Sequence, residues 1–349
     1  PAIPRFTAVV TGGTVRPLQH SLVNPLATTL LDDVRVDLAI LGATGIEAVA
    51  GVTNVNLPEA EVKRRMVASA ARRVLAADSS KVGQVHLGRV ATLDEVLADP
   101  SIAGVAIATS APTHFAVARA ALEAGKHVFV EKPLTLDQAE AAELIELGSQ
   151  SGRVVMVGHL LRHHPVFQAM LDVVKSESLG KLQYVHSDRM SLGKVRSEED
   201  VLWSFAPHDI SMVLALAEAE PVSITAQGAD FLQEGIADVA TLQIAFANGV
   251  RSGIRTSWMH FRKIQEIAAV CERGTIVFED SQPEWGDKLS IHWHEVDRTG
   301  SSPLPKRGNV ERVEVPFAEP LKCECRHFLD SIAGQTKPLT DGEEGLAVL

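Results

Sequence analysis

Four stretches of this sequence contain residue types that could bind a ligand or take part in catalysis. Two of them follow predicted strands. Residues 108–114, Ala-Thr-Ser-Ala-Pro-Thr-His, come at the end of the apolar run Gly104–Ala108 and lead into a predicted helix. Ligands of open α/β sheets lie at such strand ends, and a helix N-terminus suits a phosphate or a carboxylate. The second stretch, Glu131-Lys132-Pro133, comes directly after the apolar run Val128–Val130.

The other two stretches contain clustered polar side chains. Residues 158–165 hold Arg162, His163 and His164, and residues 203–210 hold Ser204 and His208. An arginine suits a carboxylate or a diphosphate, so the Arg162 stretch is either a wall of a substrate or cofactor site or a polar loop face. A lysine after a strand is usually a solvated charge, and a histidine near a helix start is often a cap. The residue types alone therefore leave the roles of Lys132 and His208 open.

The elements around these stretches predict an α/β fold followed by an α+β fold. Up to residue 158, short apolar runs alternate with helical patterns such as Leu136–Ser149, which is typical of a Rossmann-like, layered parallel sheet. After about residue 180, strands such as Leu182–Arg189 are separated by turns, which favours a large open antiparallel sheet. A last helix, Leu321–Ala333, is expected to pack back onto the body. We therefore expect two domains, 1–158 and 159–349, the second for substrate binding and oligomerisation.

Composition narrows the class of protein. The chain has 349 residues, is 46% hydrophobic and carries a net charge of −11, which argues against a broad nucleic-acid surface. No apolar run approaches the length of a membrane span and no secretion signal is visible, so we expect a cytoplasmic protein without a membrane partner. Three cysteines without a secretory context fit a reducing compartment. Cys323-Glu324-Cys325 has no second ligand pair at finger-like spacing, so we predict no metal site.

From about residue 91 onward the sequence resembles the Gfo/Idh/MocA family of oxidoreductases. The resemblance lies in AGKHVFVEKPLTL (124–136), VGHLLRHHPVF (157–167) and VLWSFAPHDISMVLAL (201–216). These motifs are similar to those of the branch that oxidises the 3-hydroxyl of UDP-N-acetylglucosamine-type sugars, including their uronic acids. The resemblance implies NAD or NADP as cofactor, a sugar or nucleotide-sugar substrate, and a homodimer or homotetramer.

The same resemblance assigns roles to individual residues. Lys132 matches the family lysine near the nicotinamide, whose ammonium hydrogen-bonds the hydroxyl being oxidised and stabilises the developing alkoxide. His208 matches the family histidine that takes the hydroxyl proton. Many members have an aspartate four residues before this histidine; here Ser204 occupies that position, and Asp209 lies on the wrong helical face to replace it. The implied cofactor contacts are Thr109, Ser110, His114, Glu131 and Lys132, and the implied substrate contacts are Arg162, His163, His164 and Ser204.

Residues 4–96 resemble a different family, the sugar-phosphate-sensing domain of DeoR-type transcriptional regulators. The resemblance lies in TGGTVRPLQHSLVNPLA (11–27), VDLAILGATGIEAVAGVTNVNLPEAEVKRRMV (36–67) and ADSSKVGQVHLGRVATLDEV (77–96). Lys63, Asp78 and Lys81 match ligand-side motifs of that family, although surface charge is the simpler interpretation. The chain is therefore an apparent chimera, in which residues 1–90 and 91–158 together form the Rossmann-like domain.

The regulator-like segment raises a question about the cofactor. The oxidoreductase family opens with a strand, the glycine fingerprint G-x-G-x-x-G and a helix that receives the cofactor diphosphate, and residues 1–90 lack that spacing. One hypothesis is an active dehydrogenase whose diphosphate lies on a substitute turn, at Gly12–Thr14 or Gly42–Gly45. The alternatives are a catalytically silent hybrid and a sugar-phosphate-binding module.

Overall fold

The chain forms two compact units, residues 1–155 and 156–349. The computed structural model describes residues 9–17, 21–23, 25–47, 50–76, 81, 84–100, 102–193, 195–197 and 199–349.

The regulator-like part of the first unit is built from short strands. Its elements are β1 (Thr14–Arg16), β2 (Ser21–Val23), α1 (Pro25–Asp33), β3 (Val36–Gly42), β4 (Gly45–Glu47), β5 (Gly51–Asn54), α2 (Leu57–Ser69), β6 (Ala70–Ala76), β7 (Gly88–Ala91) and α3 (Leu93–Ala98). Strands β3 and β6 pair in parallel, whereas β4, β5 and β7 form a three-stranded antiparallel sheet. The alternating strand-and-helix pattern predicts the parallel pair, but it gives no indication of the antiparallel sheet.

The oxidoreductase-like part of the first unit repeats a strand-helix unit. Its elements are β8 (Gly104–Ile107), α4 (His114–Glu123), β9 (His127–Glu131) and α5 (Gln138–Ser151). Strands β8 and β9 are parallel, and the side chains of Val128 and Val130 are completely buried. A strand buried on both faces is expected inside a parallel sheet, which explains the unbroken apolar run in this part of the sequence.

The second unit is built around one eight-stranded sheet. Strand β10 (Val155–Gly158) spans the boundary between the units. The further elements of the second unit are α6 (Pro165–Lys175), β11 (Leu182–Leu192), α7 (Val201–Ala217), β12 (Pro221–Ala229), β13 (Val239–Phe246), β14 (Arg251–Ser257), β15 (Met259–Cys271), β16 (Gly274–Glu279), β17 (Leu289–Asp297), β18 (Leu304–Arg312), α8 (Pro320–Ile332) and α9 (Gly342–Val348). The strand order is β12-β13-β14-β11-β15-β16-β17-β18. All neighbouring strands are antiparallel except β11 and β14, which are parallel. The predicted antiparallel sheet is therefore mixed at one pair.

Helices α6 and α7 bury their apolar residues with those of the large sheet. Phe167 and Met170 of α6 and Val213 of α7 belong to one core cluster with Ile254 and Ile267 of the strands. None of the described helices combines the length and apolar character that crossing a membrane requires.

Candidate active site

Lys132 is held at the end of strand β9. The strand is completely buried at Val128 and Val130, so its carboxyl end has a fixed position in the first unit. Lys132 itself is half-buried and Glu131 is exposed, and the Lys132 backbone N–H donates to Oε2 of Glu131 over 3.3 Å. A lysine at this place is partly shielded from water, in contrast to the fully solvated charge that its residue type would suggest.

His114 connects the ends of strands β8 and β9. Its ring is buried, with Nδ1 2.7 Å from the carbonyl oxygen of Pro133 and Nε2 3.0 Å from that of Thr109. The sequence predicts that His114 contacts the cofactor. The structure instead shows both ring nitrogens against backbone carbonyl groups, so His114 fixes the loop after β8 relative to the loop that carries Lys132.

Thr109 and Ser110 lie in the turn between β8 and helix α4. The Thr113 hydroxyl donates to Oγ1 of Thr109 over 2.7 Å, and the Thr113 backbone N–H donates to the Ser110 carbonyl over 2.9 Å. Thr109 is half-buried and Ser110 is exposed. The turn therefore presents hydroxyl groups at the beginning of a helix, which is suitable for an anionic or polar ligand group.

The two glycine turns proposed for a cofactor diphosphate do not have the required form. A dinucleotide site needs a glycine turn that leads from a strand into a helix. Gly12 and Gly13 lead into strand β1, and the turn after Gly42 leads into strand β4. A Cβ atom on Gly45 would lie 2.3 Å from the carbonyl oxygen of Gln84, so the space over this glycine is filled by protein. Neither glycine turn therefore suits a cofactor diphosphate.

Helix α7 carries His208 in the second unit. The helix begins after Asp200, whose side chain accepts from the Trp203 backbone N–H over 3.0 Å. His208 is half-buried, and Ser204 precedes it by one helical turn, so both belong to one face of the helix. Asp209 is turned toward strand β11, where the Arg189 side chain binds it. This agrees with the expectation that Asp209 does not replace the family aspartate.

Arg162 and His163 are buried in a polar cluster. Glu344 of helix α9 lies at its centre: Nη1 of Arg162 donates to its Oε1 over 3.2 Å, and Nδ1 of His159 lies 2.6 Å from its Oε2. The Ser211 hydroxyl of α7 also donates to Oε1 of Glu344. Nε2 of His163 lies 3.3 Å from Oγ1 of Thr340. The sequence predicts substrate contacts for Arg162 and His163, whereas here their partners are groups of the protein.

His164 is also enclosed by protein. Its Nδ1 accepts from the Val166 backbone N–H over 3.2 Å, which caps helix α6. The ring lies between Phe278 and Trp285, with centroid distances of 4.8 and 5.2 Å, and its Nε2 is 3.7 Å from Oδ1 of Asp280. The interpretation of this stretch as a solvent-exposed polar loop is wrong, because Arg162, His163 and His164 are all buried.

Burial determines the ionisation of this histidine stretch. It lowers the pKa of His163 to about 3, and the neighbouring His327 and Arg162 act in the same direction. It lowers the pKa of His164 to about 4, although Asp280 opposes the shift. Burial alone would raise the pKa of Glu344, but His159, Ser211 and Arg162 outweigh it and the pKa is lowered. The cluster therefore combines neutral His163 with ionised Glu344 at neutral pH.

Lys63 of the regulator-like segment is also paired. Its Nζ lies 3.0 Å from Oε1 of Glu59 and donates to Oδ1 of Asn54 over 2.9 Å, and only 12% of its side chain is exposed. The surface-charge interpretation is therefore wrong for Lys63. Lys81 is half-buried, and Asp78 lies outside the described residues. Among the described residues, His, Cys, Asp and Glu side chains form no group of three that could hold a metal ion.

The chain belongs to the Gfo/Idh/MocA family of oxidoreductases, as its motifs predict. The model of the GFO/IDH/MocA C-terminal domain matches residues 167–277, and that of the DeoR C-terminal sensor domain matches residues 2–98. The chain is 32% identical over 261 residues to the UDP-N-acetylglucosamine 3-dehydrogenase of Acidithiobacillus ferrooxidans, covering 74% of this chain and 78% of that protein. Both sequence resemblances are thereby confirmed.

Solved structures show the same fold. The structure of the Acidithiobacillus ferrooxidans enzyme has a TM-score of 0.66 at 26% identity, covering 90% of this chain and 93% of that chain. A putative oxidoreductase from Magnetospirillum magnetotacticum has a TM-score of 0.67 at 29% identity, covering 90% and 97%. An inositol dehydrogenase homologue from Azotobacter vinelandii, complexed with NADH and myo-inositol, has a TM-score of 0.64 at 19% identity, covering 90% and 93%. The predicted fold class, a Rossmann-like sheet followed by a large sheet, is confirmed.

Proposed function

We propose that this chain oxidises the 3-hydroxyl group of a UDP-N-acetylglucosamine-type nucleotide sugar and passes the hydride to NAD or NADP. The observation that carries the proposal is the presence of Lys132 at the end of buried strand β9 and of His208 on helix α7, within motifs of the family. The identity of 32% to a UDP-N-acetylglucosamine 3-dehydrogenase supports this substrate class.

His208 and Lys132 divide the proton chemistry between them. The His208 imidazole accepts the proton of the sugar hydroxyl, because histidine titrates near neutral pH. The family resemblance gives Lys132 the complementary role, in which an ammonium group stabilises the alkoxide that develops when the hydroxyl loses its proton. A bound nicotinamide would supply the hydride acceptor, so that the C–H bond of that carbon would break as its C=O bond formed.

We assign further ligand contacts within each unit separately. Ser204 contacts the substrate, because it precedes His208 by one turn on the same helix. Thr109 and Ser110 contact the cofactor from the turn before helix α4, and Glu131 does so from the residue beside Lys132. The buried Arg162, His163 and His164 act on the substrate site through the segment that they stabilise.

An absorbance assay tests this function. The full chain is incubated with UDP-N-acetylglucosamine and either NAD or NADP, and the formation of reduced nicotinamide is measured. Lys132→Met and His208→Gln are each expected to lower the rate by about 10²–10⁴-fold. Lys181→Met and His292→Gln alter exposed residues and serve as matched controls. No reduced nicotinamide with either cofactor would contradict the proposal. Thermal stabilisation by a sugar phosphate alone would favour the sugar-phosphate-binding module.

We also propose that the chain forms a homodimer or homotetramer in the cytoplasm. Edge strand β12 supports association, because Val222 and Ile224 on it are 64% and 59% exposed. The free cysteines Cys271, Cys323 and Cys325 support a reducing compartment. Light scattering is expected to give a mass of two or four chains, and the mass of one chain would contradict the association.

A further inference from the structure

We propose that Asp209 is a positioning residue that sets the orientation of His208 through its buried pair with Arg189. This inference deepens the proposed function, on which the role of His208 rests. Three features of the second unit carry it: a proline inside helix α7, the geometry of the Asp209–Arg189 pair, and the place of Arg189 in the large sheet.

Helix α7 lacks one of its own hydrogen bonds directly before His208. Pro207 lies inside the helix, and proline has no backbone N–H with which to donate to the carbonyl of Trp203 one turn earlier. Helices are easily bent where this bond is missing. The backbone at His208 is therefore less constrained by the helix itself than a residue in an unbroken helix would be.

Asp209 supplies a constraint from outside the helix. It is 1% exposed, and its carboxylate accepts from three donors on strand β11. Nε of Arg189 donates to Oδ2 over 2.6 Å, Nη2 of Arg189 to Oδ1 over 3.2 Å, and the Ser187 hydroxyl to Oδ1 over 2.6 Å. A two-pronged arginine–carboxylate pair restricts direction as well as distance, and burial excludes competing water.

Strand β11 is a firm support for this pair. It lies inside the eight-stranded sheet, hydrogen-bonded to β14 on one side and β15 on the other. Ser187 and Arg189 are two residues apart, so they lie on the same face of the strand and together reach Asp209. The turn of α7 that contains His208 is thereby tied to the centre of the sheet.

The pair acts on His208 through the backbone. Consecutive residues of a helix differ by about 100° in direction, so Asp209 and His208 face different surroundings. The charge of Asp209 is matched by Arg189, with both side chains at most 10% exposed. Asp209 therefore fixes the position of His208 and does not act as its charge partner.

Asp209→Glu tests this inference because it keeps the charge and moves the carboxylate by one methylene group. The measurement is the NMR spectrum of histidine labelled in its imidazole ring, with the His208 signal assigned by His208→Gln. We expect the His208 signal to shift or broaden, whereas those of His159 and His163 remain. Arg189→Lys keeps the charge without the two-pronged geometry and gives the milder change if Asp209→Glu fails to fold.

Arg255→Gln is the matched control. It removes an arginine that pairs with Asp188 of strand β11, and among the described residues neither member of that pair forms an ion pair with helix α7. The His208 signal is expected to stay in place in this variant. An unchanged His208 signal in folded Asp209→Glu and Arg189→Lys would overturn the inference, whatever their activity.

Turnover gives an independent measure. With UDP-N-acetylglucosamine and the active cofactor, Asp209→Glu is expected to lower kcat about 10–100-fold and to change KM by less than about threefold, as a misplaced catalytic group does. A parallel loss of folded protein without a change in the kcat of the remainder would indicate a structural role and overturn the inference. If the wild-type chain shows no turnover, the proposed function fails while the NMR experiment still decides the role of Asp209.

Discussion

His159 and Glu344 lie near opposite ends of the second unit's sequence and form a pair, with Nδ1 of His159 2.6 Å from Oε2 of Glu344. His159 comes directly after strand β10, at the start of this unit, and Glu344 lies in its last helix. Arg162 donates to the other carboxylate oxygen of Glu344, as does Ser211 from helix α7. One carboxylate therefore connects three separate segments, one of which carries His208.

Glu344→Gln is expected to destabilise the second unit. The change removes the negative charge that both buried Arg162 and buried His159 contact, and breaking a buried pair in this way typically costs about 3–5 kcal/mol. Urea unfolding at neutral pH, followed by tryptophan fluorescence, measures the change in the free energy of unfolding. All four tryptophans of the chain lie in the second unit.

Glu343→Gln is the control for this prediction. Glu343 belongs to the same helix α9 and is exposed, so the same change of charge there is expected to alter the free energy of unfolding by less than about 0.5 kcal/mol. Equal unfolding midpoints for Glu344→Gln and the wild type would show that the pair contributes nothing to stability.

The free energy of unfolding is expected to decrease as the pH falls below 6.5, the ordinary pKa of histidine, which applies to the unfolded chain. Burial lowers the pKa of His163 from 6.5 to about 3, so between these values the unfolded state binds a proton that the folded state does not. The stabilising contribution is therefore complete above pH 6.5 and is lost progressively as the pH falls. At pH 5 the loss is about 2 kcal/mol for this one residue.

His163→Gln isolates that contribution. The variant lacks the ionisable ring, so its free energy of unfolding should fall less between pH 7 and pH 5 than that of the wild type. His292→Gln removes an exposed histidine and should retain the wild-type pH dependence. Identical slopes for the wild type and His163→Gln would refute the assignment.

Much of the fold could be predicted because its signals are local. The apolar run Val128–Val130, which is buried throughout, indicates a parallel strand from its residue types alone. The expected helix Leu136–Ser149 is present as Gln138–Ser151, capped by Asp137. The expected helix Leu321–Ala333 is present as Pro320–Ile332. The antiparallel sheet of β4, β5 and β7 could not be predicted, since its strands are short and pair across an intervening helix.

The site could be predicted only in part. Lys132 and His208 belong to motifs, whereas Glu344 lies 182 positions from Arg162, and no local pattern indicates such a pairing. The same holds for Arg189, which lies 20 positions before Asp209 on a different element. The partners of Arg162 and His163 within the protein could not be predicted either, because residue type does not show whether a polar side chain is already paired.

His114→Phe is expected to reduce both stability and activity. Phenylalanine fills the buried ring space but cannot bind the carbonyl groups of Thr109 and Pro133, and leaving buried acceptors unpaired costs about 1–3 kcal/mol. The loop that carries Lys132 loses its connection to the loop after β8, so kcat should fall. Thermal unfolding and steady-state kinetics measure the two effects.

Arg119→Gln serves as the comparison for His114→Phe. Arg119 lies on the same helix α4, and its ion pairs with Glu123 and Glu143 are exposed. Exposed pairs contribute little, so both stability and kcat should remain near the wild-type values. A His114→Phe variant that matched Arg119→Gln in kcat would separate His114 from the positioning of Lys132.

Gly45→Ala distinguishes a packing role of the Gly42–Gly45 turn from a cofactor role. The added methyl group would meet the Gln84 carbonyl oxygen at 2.3 Å and Oγ1 of Thr53 at 2.6 Å, so the first unit should be destabilised by about 1–3 kcal/mol. The NAD affinity of the folded variant, measured by calorimetry, should be unchanged because protein atoms already fill this space. Gly286→Ala, where a methyl group meets no atom of the described residues within 4 Å, should change neither quantity. A large loss of NAD affinity in stably folded Gly45→Ala would instead place the cofactor diphosphate on this turn.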